Sequence, residues 1–222
     1  MKIPLSSRLE ACCAFVPKGA RVADIGCDHG YLSIYLLKNG IASHAYASDV
    51  AQAPLQSAVN NARKFGVAEN ISFYLSDGVR NVPRDFDTLI CAGMGADTMV
   101  SILEAAPWLR DPRYRLILQC QSKREMLRSY LSQKGWHITE ERVLRDGRFL
   151  YTVMAVTYDP EAPRLRAAET YFPPAMLKAP TGETKEYFDR VLFSLNRAVT
   201  NAGDSADPAQ KSALEELRGV SW

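Results

Sequence analysis

The chain of 222 residues is 47% hydrophobic and 23% charged with a formal net charge of +2, a balance that excludes disordered, collagen-like and coiled-coil chains and suffices for a core without staples. Its five cysteines, Cys12, Cys13, Cys27, Cys91 and Cys120, form no C-x-x-C pair and meet no histidine cluster, which excludes a disulfide scaffold and a structural zinc and fits a reducing compartment. No apolar run approaches the roughly 18 residues of a membrane span, and Arg8 and Glu10 stand where a signal peptide would be apolar; a cytoplasmic protein without membrane or metal, expected as a monomer, follows.

Residues 5–16 place Leu5, Leu9, Cys12, Cys13 and Val16 at helical spacing before Pro17 and Gly19 close the segment. The period then changes: 21–25 is a short apolar run ending at Gly26, and 30–38 returns to helical spacing until Asn39-Gly40. A second strand at 44–48 ends at Asp49, a helix over 53–65 tolerates Pro54 in its first turn and stops at Gly66, and a third strand at 71–75 is closed by Ser76-Asp77-Gly78. A fourth strand, 87–92, leads into Gly93-Met94-Gly95 and a helix over 97–106; strand 115–120 and helix 122–133 repeat the unit. Five strand–helix alternations predict a parallel sheet covered on both faces. Runs 137–144 and 149–158, separated by Asp146-Gly147, predict an antiparallel hairpin at one edge and complete a seven-stranded, mostly parallel α/β sheet of Rossmann-like class. Beyond Pro160, helical spacing recurs over 183–199 and 208–217, so residues 1–160 are expected to form an α/β domain and 161–222 a small helical appendage.

In a doubly wound sheet the ligand lies at the carboxyl ends of the central strands, so the residues just after each strand carry the function. After the first strand comes Asp24-Ile25-Gly26-Cys27-Asp28-His29-Gly30-Tyr31. A nicotinamide fold needs G-x-G-x-x-G there, and an anionic Asp28 repels a diphosphate. S-adenosylmethionine, cationic and free of phosphate, suits this loop. Asp24 and Asp28 attract its ammonium and sulfonium end, backbone N–H groups take its carboxylate, Asp49 accepts from the ribose hydroxyls, and Asp77 faces the adenine amino group. Each acid on its own also reads as a strand end or helix cap. Gly93-Met94-Gly95 occupies the position of methyl transfer and offers a flat surface to a planar ring; neither a [D/N]-P-P-[Y/F] tetrapeptide nor a Pro-Cys nucleophile is present. Cys91 reads as a buried strand residue, and the Cys27 thiol likewise.

Leu5-Ser6-Ser7-Arg8-Leu9, the Asp24 to Leu32 stretch, Asp49-Val50 with Pro54-Leu55, Asp77-Gly78 and Ala92-Gly93-Met94-Gly95 together resemble the TrmK family of bacterial tRNA adenine-N1 methyltransferases over about residues 5–158. The resemblance implies a class I methyltransferase fold, S-adenosylmethionine as donor, N1 of an adenine in the D-arm region of tRNA (position 22) as acceptor, and a C-terminal helical domain. The donor site is expected at Asp24, Gly26, Cys27, Asp28, His29, Asp49, Val50, Asp77, Gly78, Gly93 and Met94, with Arg8, Gly95 and Gln119 on the acceptor side; Arg8 reads as a phosphate contact, as a side chain closing over the methionine carboxylate, or as a surface arginine. The chain departs from the family's Gly-Met-Gly-Gly at Ala96 and from its Gln-Pro-Asn at Cys120-Gln121-Ser122.

Adenine N1 carries a free lone pair at neutral pH, so transfer needs alignment and an anion for the developing positive charge. Asp28 is the first choice for that anion; His29 orients the base or relays a proton, or bonds backbone alone; Tyr31 stacks on a ring or packs in its helix. Residues 108–148 hold ten basic side chains against five acidic ones. This run reads either as a solvated face or as a surface for tRNA phosphates, with Arg110, Arg113, Arg115, Lys123, Arg124 and Arg128 as candidates. His44 and His137 read as structural, and Trp108, Trp136 and Trp222 as core or interface residues. A methyltransferase of another RNA or a small molecule, and a non-catalytic RNA-binding relative, stay open as alternatives.

Overall fold

The computed structural model describes residues 2–178 and 180–220. Its strands are β1 (Ala20–Ile25), β2 (Ala42–Asp49), β3 (Ile71–Leu75), β4 (Thr88–Met94), β5 (Arg115–Cys120), β6 (Trp136–Asp146) and β7 (Phe149–Tyr158). The helices are α1 (Ser7–Cys13), α2 (Tyr31–Lys38), α3 (Gln52–Phe65), α4 (Ala96–Glu104), α5 (Arg124–Gln133), α6 (Ala167–Tyr171), α7 (Gly182–Ala202) and α8 (Pro208–Arg218). One seven-stranded sheet runs in the order β3-β2-β1-β4-β5-β7-β6. The first five strands are parallel, and β7 lies antiparallel to both β5 and β6.

This order has a physical cause. Strands β1, β4 and β5 are apolar almost throughout, because they are covered on both faces. One face packs Met99 and Leu103 of α4 and Leu127 and Leu131 of α5 over Leu89, Leu116 and Leu118. The other face packs α1 and α2 over Val22, Ile90 and Ile117, with α3 beyond them. The chain order switches direction between β1 and β4, which opens a crevice at their carboxyl ends.

Two local expectations change. No helix follows β3; a turn over residues 76–82 leads directly to β4, so four of the five expected alternations carry a helix. The polar Ser76-Asp77-Gly78 cluster ends β3, and nothing behind it repeats at helical spacing. The hairpin runs further than expected, so its turn is Gly147-Arg148; φ is positive only at Gly147, the first central position (58°), as a type II′ turn requires. Trp108 and Trp136 pack in or against the core as expected, whereas Trp222 lies outside the described residues.

The C-terminal helices pack Phe172, Tyr187, Leu195 and Leu214 against Val143 and Leu150 of the hairpin. A β-bulge sets their junction. The β6 register shifts between Ile138 and Glu140, so inward positions change from Trp136 and Ile138 to Glu141 and Val143. Glu141 thereby points inside and receives Arg128 from α5: Nη2 donates at 2.7 Å and Nε at 3.1 Å. Arg128 also donates to the carbonyls of Thr170 (2.9 Å) and Tyr171 (3.0 Å) and to the Tyr187 hydroxyl (3.1 Å). It is 1% exposed, which corrects its expected role: a side chain with every donor engaged in the interior meets no phosphate.

Candidate functional site

The loop after β1 is held in place by its own polar groups. Asp24 is buried, accepting the Ser33 hydroxyl at 2.7 Å and the Ser33 N–H, so it ties β1 to the first turn of α2. This corrects its expected contact with a cationic ligand, since its carboxyl lies beneath the loop. Gly26 and Cys27 donate their N–H groups to the Ser48 carbonyl (2.8 and 2.9 Å). Asp28 N–H donates to Asp49 Oδ2 (3.1 Å), and the other Asp49 oxygen accepts Ala51 N–H (3.0 Å). The expected carboxylate cradle therefore moves along the loop: among the described residues, the N–H groups of His29, Tyr31 and Leu32 meet no protein acceptor. The Cys27 thiol packs against Ile34, Ala45 and Leu55, and burial pushes its pKa up, so this residue reaches the site through backbone alone.

Burial also pushes the Asp24 carboxyl up, from an ordinary 3.8 to about 6. The folded chain thus keeps a proton that the unfolded chain releases at lower pH. Stability from this group is greatest below about pH 4 and falls as pH rises through about 6. Asp24→Asn carries no such penalty. Between pH 4.5 and 7, urea denaturation is expected to show wild type losing about 2 kcal/mol relative to the variant; a pH-independent difference would place the ionised carboxylate in a compensated environment.

Beside this loop a cavity of about 280 Å³ opens between β1, β2, the 76–82 turn and α4, just below the usual range for ligand pockets. Asp49, Val50, Asp77 and Gly78 line one wall, as the sequence leads one to expect, with Gly26 and Met94 at the base. Asp77 is exposed and pairs with Arg80 at 3.2 Å. Gly26 sits at φ 70°, and a Cβ there would collide with the Met94 terminal methyl. Thr98, Ser101 and Ile102 supply the opposite wall, which sequence reading missed. Their signal is the spacing along α4, where they share a face. Asp28 and His29 stand exposed in the adjacent loop, 3.7 Å apart, and the His29 ring lies 6.0 Å from that of Tyr31. Asp28 holds φ 50°, the left-handed region, without being glycine.

On the far side of Gly93 lies a second polar floor. The Gln119 side-chain oxygen accepts the Gly93 N–H (3.1 Å) and Arg8 Nη1 (3.2 Å), and Arg8 Nε reaches Asp146 at 3.9 Å. The Arg8 guanidinium lies over Gly93. Gly95 abuts the Ser122 hydroxyl, and Gln121 N–H donates to the Met94 carbonyl (2.8 Å). Arg8, Gly93, Gly95 and Gln119 thus meet at one place, with Gln121-Ser122 beside them; Ala96 reaches it only through its N–H, which donates to the Ser122 carbonyl (3.3 Å), and its methyl is buried in the core and not beside an acceptor.

Residues 5–154 match the model of the methyltransferase domain family. A Bacillus subtilis protein named tRNA (adenine(22)-N(1))-methyltransferase is 32% identical over 154 residues, 69% of this chain and 65% of its own length, so the alignment spans just under two thirds of that relative. The structure of the B. subtilis m1A22 tRNA methyltransferase TrmK superposes with a TM-score of 0.81 at 28% identity, covering 98% of this chain and 95% of that one. The chain belongs to the TrmK family of methyltransferases. A Streptococcus pneumoniae structure in complex with S-adenosyl-L-methionine superposes with a TM-score of 0.83 at 27% identity over 96% of this chain and 98% of its own.

In this TrmK-family chain the basic run does not form one surface. Arg113 and Arg115 lie with Pro17 and Lys18 at the amino end of the sheet, opposite the crevice. Lys123 is paired with Asp97 at 2.8 Å, and Arg128 is interior. Arg124 sits over the Tyr187 ring at 5.4 Å, in the wall of a cavity of about 320 Å³ between α5 and α7. His44 bonds Ser72 Oγ at 3.1 Å, as a structural histidine would.

Proposed function

We propose that this chain transfers the methyl group of S-adenosylmethionine to N1 of an adenine in the D-arm region of tRNA, at position 22. The observation that supports this most strongly is that its likeness to the B. subtilis tRNA methyltransferase covers 98% of the chain, C-terminal helices included.

The residues present fit such a donor. The N–H groups of His29, Tyr31 and Leu32 suit a carboxylate, Asp49 keeps lone pairs for a ribose diol beyond the two N–H groups it accepts, and Asp77 suits an exocyclic amine. When bound, S-adenosylmethionine supplies a methyl group activated by its sulfonium. The chain has to hold the acceptor ring, keep water out and balance the positive charge that N1 gains. Gly93 to Gly95 offer backbone without bulk, Arg8 and Gln119 hold that backbone, and Asp28 supplies the anion. Because N1 lies on the Watson–Crick edge, a paired adenine must leave its helix to be reached.

Incubation with isotopically labelled S-adenosylmethionine and an unmodified tRNA transcript, then nucleoside digestion and mass spectrometry, is expected to yield labelled 1-methyladenosine. The signal disappears when the position-22 adenine is replaced. Donor binding without any labelled nucleoside would overturn the acceptor assignment and favour Gln121-Ser122 as the mark of a different acceptor.

A further inference from the structure

The tip of the β6–β7 hairpin carries an aromatic side chain that the fold leaves in water. Phe149 is 51% exposed, although its burial would favour the folded chain. Its neighbour Arg148 holds its guanidinium 4.9 Å from the ring centroid, and the Tyr151 ring lies 6.3 Å away, edge-on. Register fixes where this platform faces. Asp146 and Phe149 are directly opposed across the hairpin, so their side chains leave the same face of the ladder. That is the face on which Asp146 meets Arg8. Arg8 in turn bonds the Gln119 oxygen that holds the Gly93 N–H. Phe149 therefore lies on the sheet face that carries this floor, one cross-strand pair away from Asp146, whose carboxylate pairs with Arg8. Leu150, on the opposite face, is buried against the C-terminal helices and fixes the hairpin from behind.

Resting on the tRNA reading above, we propose that Phe149, backed by Arg148, is a stacking platform for the nucleobase that flanks the target adenine once the RNA is opened. The chemistry of this hairpin tip selects the occupant. An exposed ring stacks on any base, a guanidinium beside it meets the phosphate or adds a cation–π contact, and stacking of this kind is independent of base identity. A protein partner would use a broader apolar patch, whereas Asp146 and Arg148 border this ring with charge. Positioning by Phe149 also matches the need of the reaction: an adenine drawn from its stack leaves a neighbour that must be held apart.

The test is steady-state methylation of the tRNA transcript by the full chain, comparing wild type with Phe149→Ala, Phe149→Leu and Phe149→Trp. Phe149→Ala is expected to raise KM for tRNA about tenfold, with the Kd for S-adenosylmethionine and the thermal midpoint unchanged, because the side chain is exposed and lies outside the donor cavity. Phe149→Trp is expected to keep or lower KM, and Phe149→Leu to behave like alanine, since an apolar group without a π face cannot stack. Unchanged KM in Phe149→Ala with normal wild-type turnover would overturn the platform while leaving the proposed reaction intact. Wild type that binds donor and methylates no tRNA would overturn both.

Discussion

Arg128→Ala is expected to cost the fold roughly 3–5 kcal/mol, enough to unfold a large fraction of the chain or release its C-terminal helices. The loss comes from what is left behind. Glu141, buried to the same extent as its partner, would keep a charge with no counter-ion. The carbonyls of Thr170 and Tyr171, at the end of α6, would lose their donor, as would the Tyr187 hydroxyl on α7. Arg128→Lys keeps the charge but replaces a planar fork with one ammonium, and so falls between the two. The double variant Arg128→Met with Glu141→Met, which removes both charges and fills similar volume, is expected to recover the part of the stability lost to the unpaired Glu141, while the Thr170, Tyr171 and Tyr187 oxygens stay without their donor. Urea denaturation of all four proteins decides it. A single Arg128→Ala variant of near-normal stability would mean that water enters and solvates Glu141. Any loss of tRNA affinity in Arg128→Ala is then a consequence of misplaced helices, which the double variant separates from a direct contact by restoring it.

The same pair shows where sequence reading stops. The sheet was legible because its strands are short apolar runs closed by aspartate and glycine, and local period and turn chemistry carry that information. The acids at strand ends were legible as a set for the same reason, and Asp49 and Asp77 do line one cavity. Burial was not legible. Asp24, near the end of β1, and Asp28, in the loop that follows, lie four residues apart, yet one is sealed by Ser33 and the other stands exposed. Arg128 read as one of a row of surface cations because nothing in the β6 sequence reveals a bulge; the extra residue before Glu141 turns an apparent surface acid inward, and the arginine follows it. The acceptor floor was partly legible. Motif likeness drew Arg8, Gly95 and Gln119 together, but Asp146, which extends that floor to the hairpin, served in the sequence only as a turn signal.

Asp28 is where the loop stores strain and charge together, and replacing it is expected to lower turnover by about 10²-fold or more. Its φ of 50° is a conformation that a non-glycine residue adopts at a cost of about 1 kcal/mol. The surrounding bonds impose it. Asp49 holds the Asp28 N–H, and Gly30 N–H returns to the Cys27 carbonyl. The side chain is thereby set outside the loop, 70% exposed beside His29, in solvent and not in the core. Two effects must be separated, backbone and carboxylate. Asp28→Gly removes the carboxylate while relieving the left-handed strain, and Asp28→Asn keeps shape and left-handed tolerance while removing the charge. If the anion stabilises the positive charge on the acceptor ring, all of Asp28→Ala, Asp28→Asn and Asp28→Gly lose turnover to a similar degree, with the glycine variant at least as stable as wild type. If the residue serves only to shape the loop, Asp28→Gly and Asp28→Asn keep near-normal turnover and only Asp28→Ala suffers. Single-turnover methylation at saturating donor and tRNA, with donor Kd measured in parallel, distinguishes the two, because a defect confined to donor binding disappears at saturation whereas a defect in charge stabilisation persists.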